Sequence, residues 1–131
     1  MWPKEEIPDN ASVFMRIHKT FITGGDVGPN AFRDHGRGMS VDWNKYSTPL
    51  KTRNRARTPA DTAVISMIAG AVRAIEPLVL EHEPIQDNSL DEKGSPVKPN
   101  RAHSEIIGEK TTEIRVKLSR IWNWQLRLGE Q

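Results

Sequence analysis

The chain has no cysteine. That excludes disulfides, thiolate metal centres and cysteine nucleophiles, and it fits a soluble, cytoplasmic protein. Long apolar runs are missing as well, with nothing near the roughly 18–20 residues that span a bilayer. Aromatic residues contribute only 6% and hydrophobic residues 36%, low for a globular domain, so a modest core with substantial loop is expected. Met1-Trp2-Pro3-Lys4-Glu5-Glu6 is acidic without an apolar stretch and does not read as a secretory signal. Without export, the acceptor pattern Asn10-Ala11-Ser12 reads as chance.

Several chemical signatures are absent too. There is no Gly-Lys-Ser/Thr of a phosphate loop, and Gly36-Arg37-Gly38 lacks the third glycine of a dinucleotide cradle because Val41 stands there. No Gly-x-Ser-x-Gly elbow occurs. Glu81-His82-Glu83 cannot chelate on a strand, where His82 points away from both glutamates. His103 and Glu105 make only a pair of ligands. Asp87, Ser89 and Asp91 imitate a calcium loop, but Glu92 occupies the glycine position. Neither a metal nor a cofactor is expected.

What the chain does have is a run of one sign, Lys51-Thr52-Arg53-Asn54-Arg55-Ala56-Arg57. Residues 31–57 carry seven basic and two acidic residues, although the whole chain is only +2. The basic members are Arg33, Arg37, Lys45, Lys51, Arg53, Arg55 and Arg57. Such a run is either a solvated face or a site for an anionic partner. Arginine predominates, and its planar fork suits phosphate. Tyr46, just upstream, offers a ring for base stacking, whereas Trp43 closes an alternating strand and belongs in the core.

Alternation over Ser12–His18 predicts a strand with Val13, Met15 and Ile17 inward. Met39, Val41 and Trp43 predict a second. Residues 23–30 are dense in turn formers. Ser47-Thr48-Pro49 reads as a helix start, and the helix carries the basic run. Lys51/Arg55 and Arg53/Arg57 are then like-charged i,i+4 pairs, each costing about 0.2–0.5 kcal/mol. The helix must therefore fray or find a counter-charge, and Thr58-Pro59 marks a boundary. Residues 64–68 predict a strand and 69–75 a short helix. Residues 78–83 and 102–107 predict further strands, separated by a long loop at about 84–101. A last helix is capped by Thr111 or Thr112 and runs to about Leu126, with Ile114, Leu118, Ile121 and Trp122 as its stripe. The N-terminal ten residues are expected to be loose. The fold class is α+β in one domain, residues 1–131. A mostly antiparallel or mixed sheet of four to five short strands carries two or three helices, the longest at the C-terminus.

Three functions remain. The first is a binding module for an anionic partner, foremost nucleic acid, through residues 33–57. The second is a subunit of a protein assembly or homo-oligomer. On the last helix Trp122 and Trp124 fall about 200° apart and cannot share a core, so with Leu128 they form a second contact surface. The third is a histidine-dependent enzyme acting on a phosphate-bearing substrate. Arg16-x-His18 and Arg101-x-His103 lie on two strands, and convergence of the four groups would make a phosphate pocket. That arrangement requires the two strands to be neighbours.

Overall fold

A computed structural model describes residues 1–131. The main sheet is antiparallel, with strands β1 (Ser12–His18), β4 (Met39–Trp43), β5 (Thr62–Ile68), β6 (Val79–His82), β7 (His103–Ile107) and β8 (Trp122–Leu126) in the order β6-β7-β4-β1-β5-β8. A small hairpin pairs β2 (Ile22–Thr23) with β3 (Asp26–Val27). Its turn, Gly24-Gly25, has φ of 58° and 77° at the two residues, which glycine adopts without strain. The helices are α1 (Pro49–Asn54), α2 (Ala69–Arg73) and α3 (Thr112–Leu118). None is long and apolar enough to cross a membrane.

One face of the sheet carries the core. Val13, Met15 and Ile17 of β1 point there, as do Met39, Val41 and Trp43 of β4, Ile65 and Met67 of β5, and Leu80 and Ile106 from the far strands. Val72 of α2, Ile114 and Leu118 of α3, and Phe32 from the loop before β4 close over them. The second face is mostly polar. Its only apolar cluster is Phe14, Val64 and Leu126, and α1 packs over this side against β1, β5 and β8.

The sheet has more strands than the sequence predicts, and the C-terminal element differs. The last helix stops at Leu118, and Trp122–Leu126 is an edge strand paired with β5. Helical spacing across Ile114, Leu118, Ile121 and Trp122 disguises the period-two alternation of Trp122, Asn123, Trp124, Gln125 and Leu126. The open edge of β5 decides between them. α3 is the longest helix, but it does not end the chain. Trp122 and Trp124 therefore share a face, opposite Met67 and Ile65, with ring centroids 5.0 Å apart in an edge-on pair. A register shift between Val64 and Ile65 turns Leu126 to the other face, where it completes the small cluster.

α1 begins as predicted, with Pro49 in its first turn and Thr48 Oγ1 accepting from the Lys51 amide at 3.2 Å. It ends at Asn54, before the like-charged pairs are complete. Thr58, which precedes Pro59, has φ −130° and ψ 79°, outside the helical region as a following proline favours.

The N-terminal residues, expected to be loose, are pinned. The Trp2 amide donates to Gln86 Oε1, and Gln86 Nε2 returns a bond to the Trp2 carbonyl, each 2.7 Å. Ile7 is buried, and the Gly70 amide donates to the Asp9 carbonyl. The connection over 84–101 is likewise an ordered excursion. Ile85 and Asn100 exchange backbone hydrogen bonds at 2.9 Å, and Asp91 Oδ1 accepts from the amides of Lys93 and Ser95.

Candidate anion-binding cleft

β1 and β4 pair only at Val13/Trp43 and Phe14/Asp42. Beyond that point β1 stays with β5 and β4 stays with β7. The divergence leaves a gap between the two strands, lined by Met15, Ile17 and Met39 of the core face as well as by residues of the polar face. Two clefts result, of about 400 and 420 Å³, and Arg16 and Ala56 line both. The first is also lined by His18, Arg33, His35, Ser40 and Arg57. The second is lined by Arg55, Lys98, Asn100 and His103. Five fixed cations and three histidines thus meet in adjoining recesses, and no aspartate or glutamate lines either one.

Behind Arg16 lies a buried carboxylate. Asp42 is 1% exposed. Its Oδ2 accepts from Thr52 Oγ1 and its Oδ1 from Asn100 Nδ2, each at 2.9 Å. Arg16 Nη1 is 3.6 Å from Oδ2 and donates to the Thr52 carbonyl at 3.4 Å. One carboxylate therefore ties together β1, β4, α1 and the end of the 84–101 excursion. It holds one edge of the Arg16 guanidinium while that side chain remains 31% exposed.

The seven cations singled out from the sequence separate into two groups. Arg37 pairs with Glu81 and Glu83 at 2.9 and 3.2 Å. Its hydrogen bonds to Glu83 first, and to Glu81, raise its pKa above the ordinary value. Lys45 pairs with Glu5 at 2.6 Å, and that bond raises its pKa. Glu5 is held below the usual carboxylate range by Lys45 and by the Tyr46 hydroxyl. Burial opposes ionisation of Glu83, but hydrogen bonding, led by Lys4, leaves its pKa lowered. Neither Arg37 nor Lys45 lines the clefts. By contrast, no cation of the Lys51–Arg57 run makes an ion pair. Arg55 donates to the Pro99 carbonyl at 2.9 Å and Arg53 to that of Glu130. Arg33 donates to the Asn30 carbonyl and lies over the Phe21 ring. No counter-charge meets the run: α1 ends before the like-charged pairs form, and the carbonyl oxygens that accept from Arg53 and Arg55 leave their positive charge in place. Lys51 is exposed on α1, and Arg53 lines a separate recess with the C-terminal residues.

The two Arg-x-His elements do not converge, because β4 stands between β1 and β7. Arg16 and His103 share one cleft, and Arg16 and His18 share the other. Arg101 precedes β7 and lies elsewhere, its guanidinium 4.1 Å from the Tyr46 ring centroid and 4.0 Å from Glu5. Tyr46 also stacks on His82 and donates to Glu5, so the ring is engaged within the protein and is not offered to a base. Trp43 is core, 3% exposed. The Trp122 and Trp124 side chains are half-buried against the main core, while Leu128 is exposed.

Ser40, His35, Asp42, Lys98 and Asn100 were not singled out as site residues by sequence reasoning. The parity of Ser40 and Asp42, opposite to Val41, does show that they leave the core face. Arg16 leaves the core face by the same parity, opposite to Met15 and Ile17, and only its place beside Asp42 requires the β1/β4 pairing. The largest recess, about 940 Å³, lies between residues 4–9 and β6, and its charged groups include Glu5, Glu81, Glu83 and Asp9. Those carboxylates are paired with Lys45, Arg37, Lys4 and Arg73, which marks it as a docking seam for the N-terminal segment. No three His, Asp or Glu side chains are arranged to hold a metal ion.

No protein-family model, curated protein or solved structure matches this chain.

Proposed function

We propose that the protein binds a single-stranded nucleic acid along the two adjoining clefts where β1 and β4 diverge. The observation that carries this reading is the lining: Arg16, Arg33, Arg55, Arg57 and Lys98 with no carboxylate among them. Arg16 is partly compensated by Asp42 behind it, and the other four make no ion pair. Positive charge left over in a recess attracts a chain of phosphates, and releasing the counterions of that chain drives binding. Recesses of this size admit a strand and its sugar edges more readily than a whole duplex. Guanidiniums anchored by carbonyls, as in Arg55 and Arg33, are already oriented, which lowers the entropy lost on binding. Phe21, half-buried in the first cleft beneath Arg33, is the aromatic surface there.

Fluorescence anisotropy with labelled single-stranded RNA, single-stranded DNA and duplex DNA tests this. Single strands are expected to bind more tightly than duplex, with affinity falling as salt rises. The Arg55→Ala/Arg57→Ala variant should weaken binding by roughly tenfold or more. Lys117→Ala, a cation of α3 paired with Glu113, should leave it unchanged. Equal loss in both variants, or none in the first, places the strand elsewhere.

A further inference from the structure

Ser40 and His103 stand together in the wall between the two clefts. Ser40 lines one and His103 the other. They share the polar face because His103 pairs with Asp42, two residues along β4 from Ser40. His103 Nδ1 is 2.8 Å from the Glu83 carbonyl oxygen, which can only accept, so Nδ1 carries the proton. In the neutral ring Nε2 is then the free base, and it lies 3.4 Å from Ser40 Oγ. A hydroxyl, an imidazole facing it and a third group that fixes the imidazole tautomer form the arrangement of an activated nucleophile, whose contacts are often loose before substrate arrives. Gly38 helps to place Ser40: a Cβ there would meet the Ile106 carbonyl at 3.0 Å, so a larger residue would push the start of β4 a few tenths of an ångström away from β7.

We propose that Ser40 is a nucleophile, with His103 as its general base, for transfer of a phosphoryl group from a phosphoester bound in the cleft. The proposal rests on the anion-binding reading of the same cleft. Ser40 Oγ attacks phosphorus and its proton passes to His103 Nε2. The P–O bond to the leaving alcohol breaks, and the departing oxygen takes that proton. Water then attacks the phosphoserine, giving a proton to His103, and Ser40 Oγ leaves and recovers it. One ester bond and one water are consumed, with no change of oxidation state. Arg16 stabilises the charge developing on the phosphoryl oxygens, and Asp42 acts as its positioning residue. The serine is not on a strand-to-helix elbow, which is why no esterase motif marks it.

The 131-residue chain is incubated with p-nitrophenyl phosphate and with bis(p-nitrophenyl) phosphate, while oligonucleotide anisotropy is recorded in parallel. Release of p-nitrophenol is expected from one of the two esters. Turnover of the monoester would identify small phosphate esters as the substrate, and turnover of the diester a nucleic acid strand. Ser40→Ala and His103→Asn should each lower the rate by a hundredfold or more. Asparagine can still donate to the Glu83 carbonyl, so its loss of rate reports loss of the base and not of the fold. Oligonucleotide binding without p-nitrophenol from either ester overturns this proposal and leaves the binding reading standing. Absence of both overturns both. Turnover that survives Ser40→Ala removes the serine from the reaction.

Discussion

Asp42 lies between the core residues Val41 and Trp43 on β4, and its carboxylate oxygens are matched by Thr52, Asn100 and Arg16. A carboxylate out of water is tolerable only when its lone pairs are satisfied in this way. Removing it leaves the buried Asn100 amide without its acceptor, Thr52 with only Ser47 as partner and the Arg16 guanidinium with only the Thr52 carbonyl. Asp42→Ala is therefore predicted to lower stability by about 2–3 kcal/mol, less than for a fully buried pair because Arg16 is partly solvated. Urea denaturation measures this, and a loss below about 0.5 kcal/mol, the range of an ordinary surface substitution, would show that the network does not anchor the fold. The outward parity of Asp42 is legible from Val41 and Trp43. Its burial is not, because the cover comes from α1 and from Asn100, which lies 58 positions later.

Elements defined by local pattern were legible, and elements defined by a distant edge were not. β1, β4, β5 and α2 follow from alternation and composition in their own residues. β8 forms because β5 offers an unpaired edge, and no window around Trp122 contains that information. The N-terminal segment is the same kind of case. Its polar sequence reads as loose, but His82, buried on the core face, accepts from the Glu5 amide at 3.0 Å while the Glu5 carboxylate takes Lys45 and Tyr46. The pH dependence of this docking follows from the direction of the shifts. Glu5 is depressed below its ordinary 4.5, so its contribution is fully present above that value and is lost as pH falls through the lower folded value. Lys45 is raised above 10.5, so its contribution persists below that value and is lost as pH rises through the higher folded one. Amide hydrogen exchange of residues 2–9, compared between wild type and Glu5→Gln, should show the wild-type segment loosening only in acid below the ordinary carboxylate range. The variant should be looser already at neutral pH. Equal protection in both would assign the docking to Ile7 and the backbone bonds alone.

At the scale of the molecule, the decisive property is where charge is left over. The sequence shows an excess of cations in residues 31–57, but the excess is not the site. Glu81, Glu83 and Glu5 neutralise Arg37 and Lys45. Arg16 and Lys98 join from β1 and from the 84–101 excursion, so only the folded topology defines the cleft. Of its five fixed cations, Arg16 is compensated in part by Asp42, leaving about four to meet phosphates. For a single strand, each phosphate neutralised contributes about −0.7 to the slope of log K against log salt. Oligonucleotide binding is then predicted to show a slope near −3. Arg57→Ala should make it shallower by about 0.7, whereas Arg37→Ala, whose charge is already spent on two glutamates, should leave it in place. A slope that responds to Arg37 as strongly as to Arg57 would mean that those ion pairs open on binding and that the strand runs over the β6 edge. A slope near zero would mean that whatever binds here is not held by phosphate charge at all.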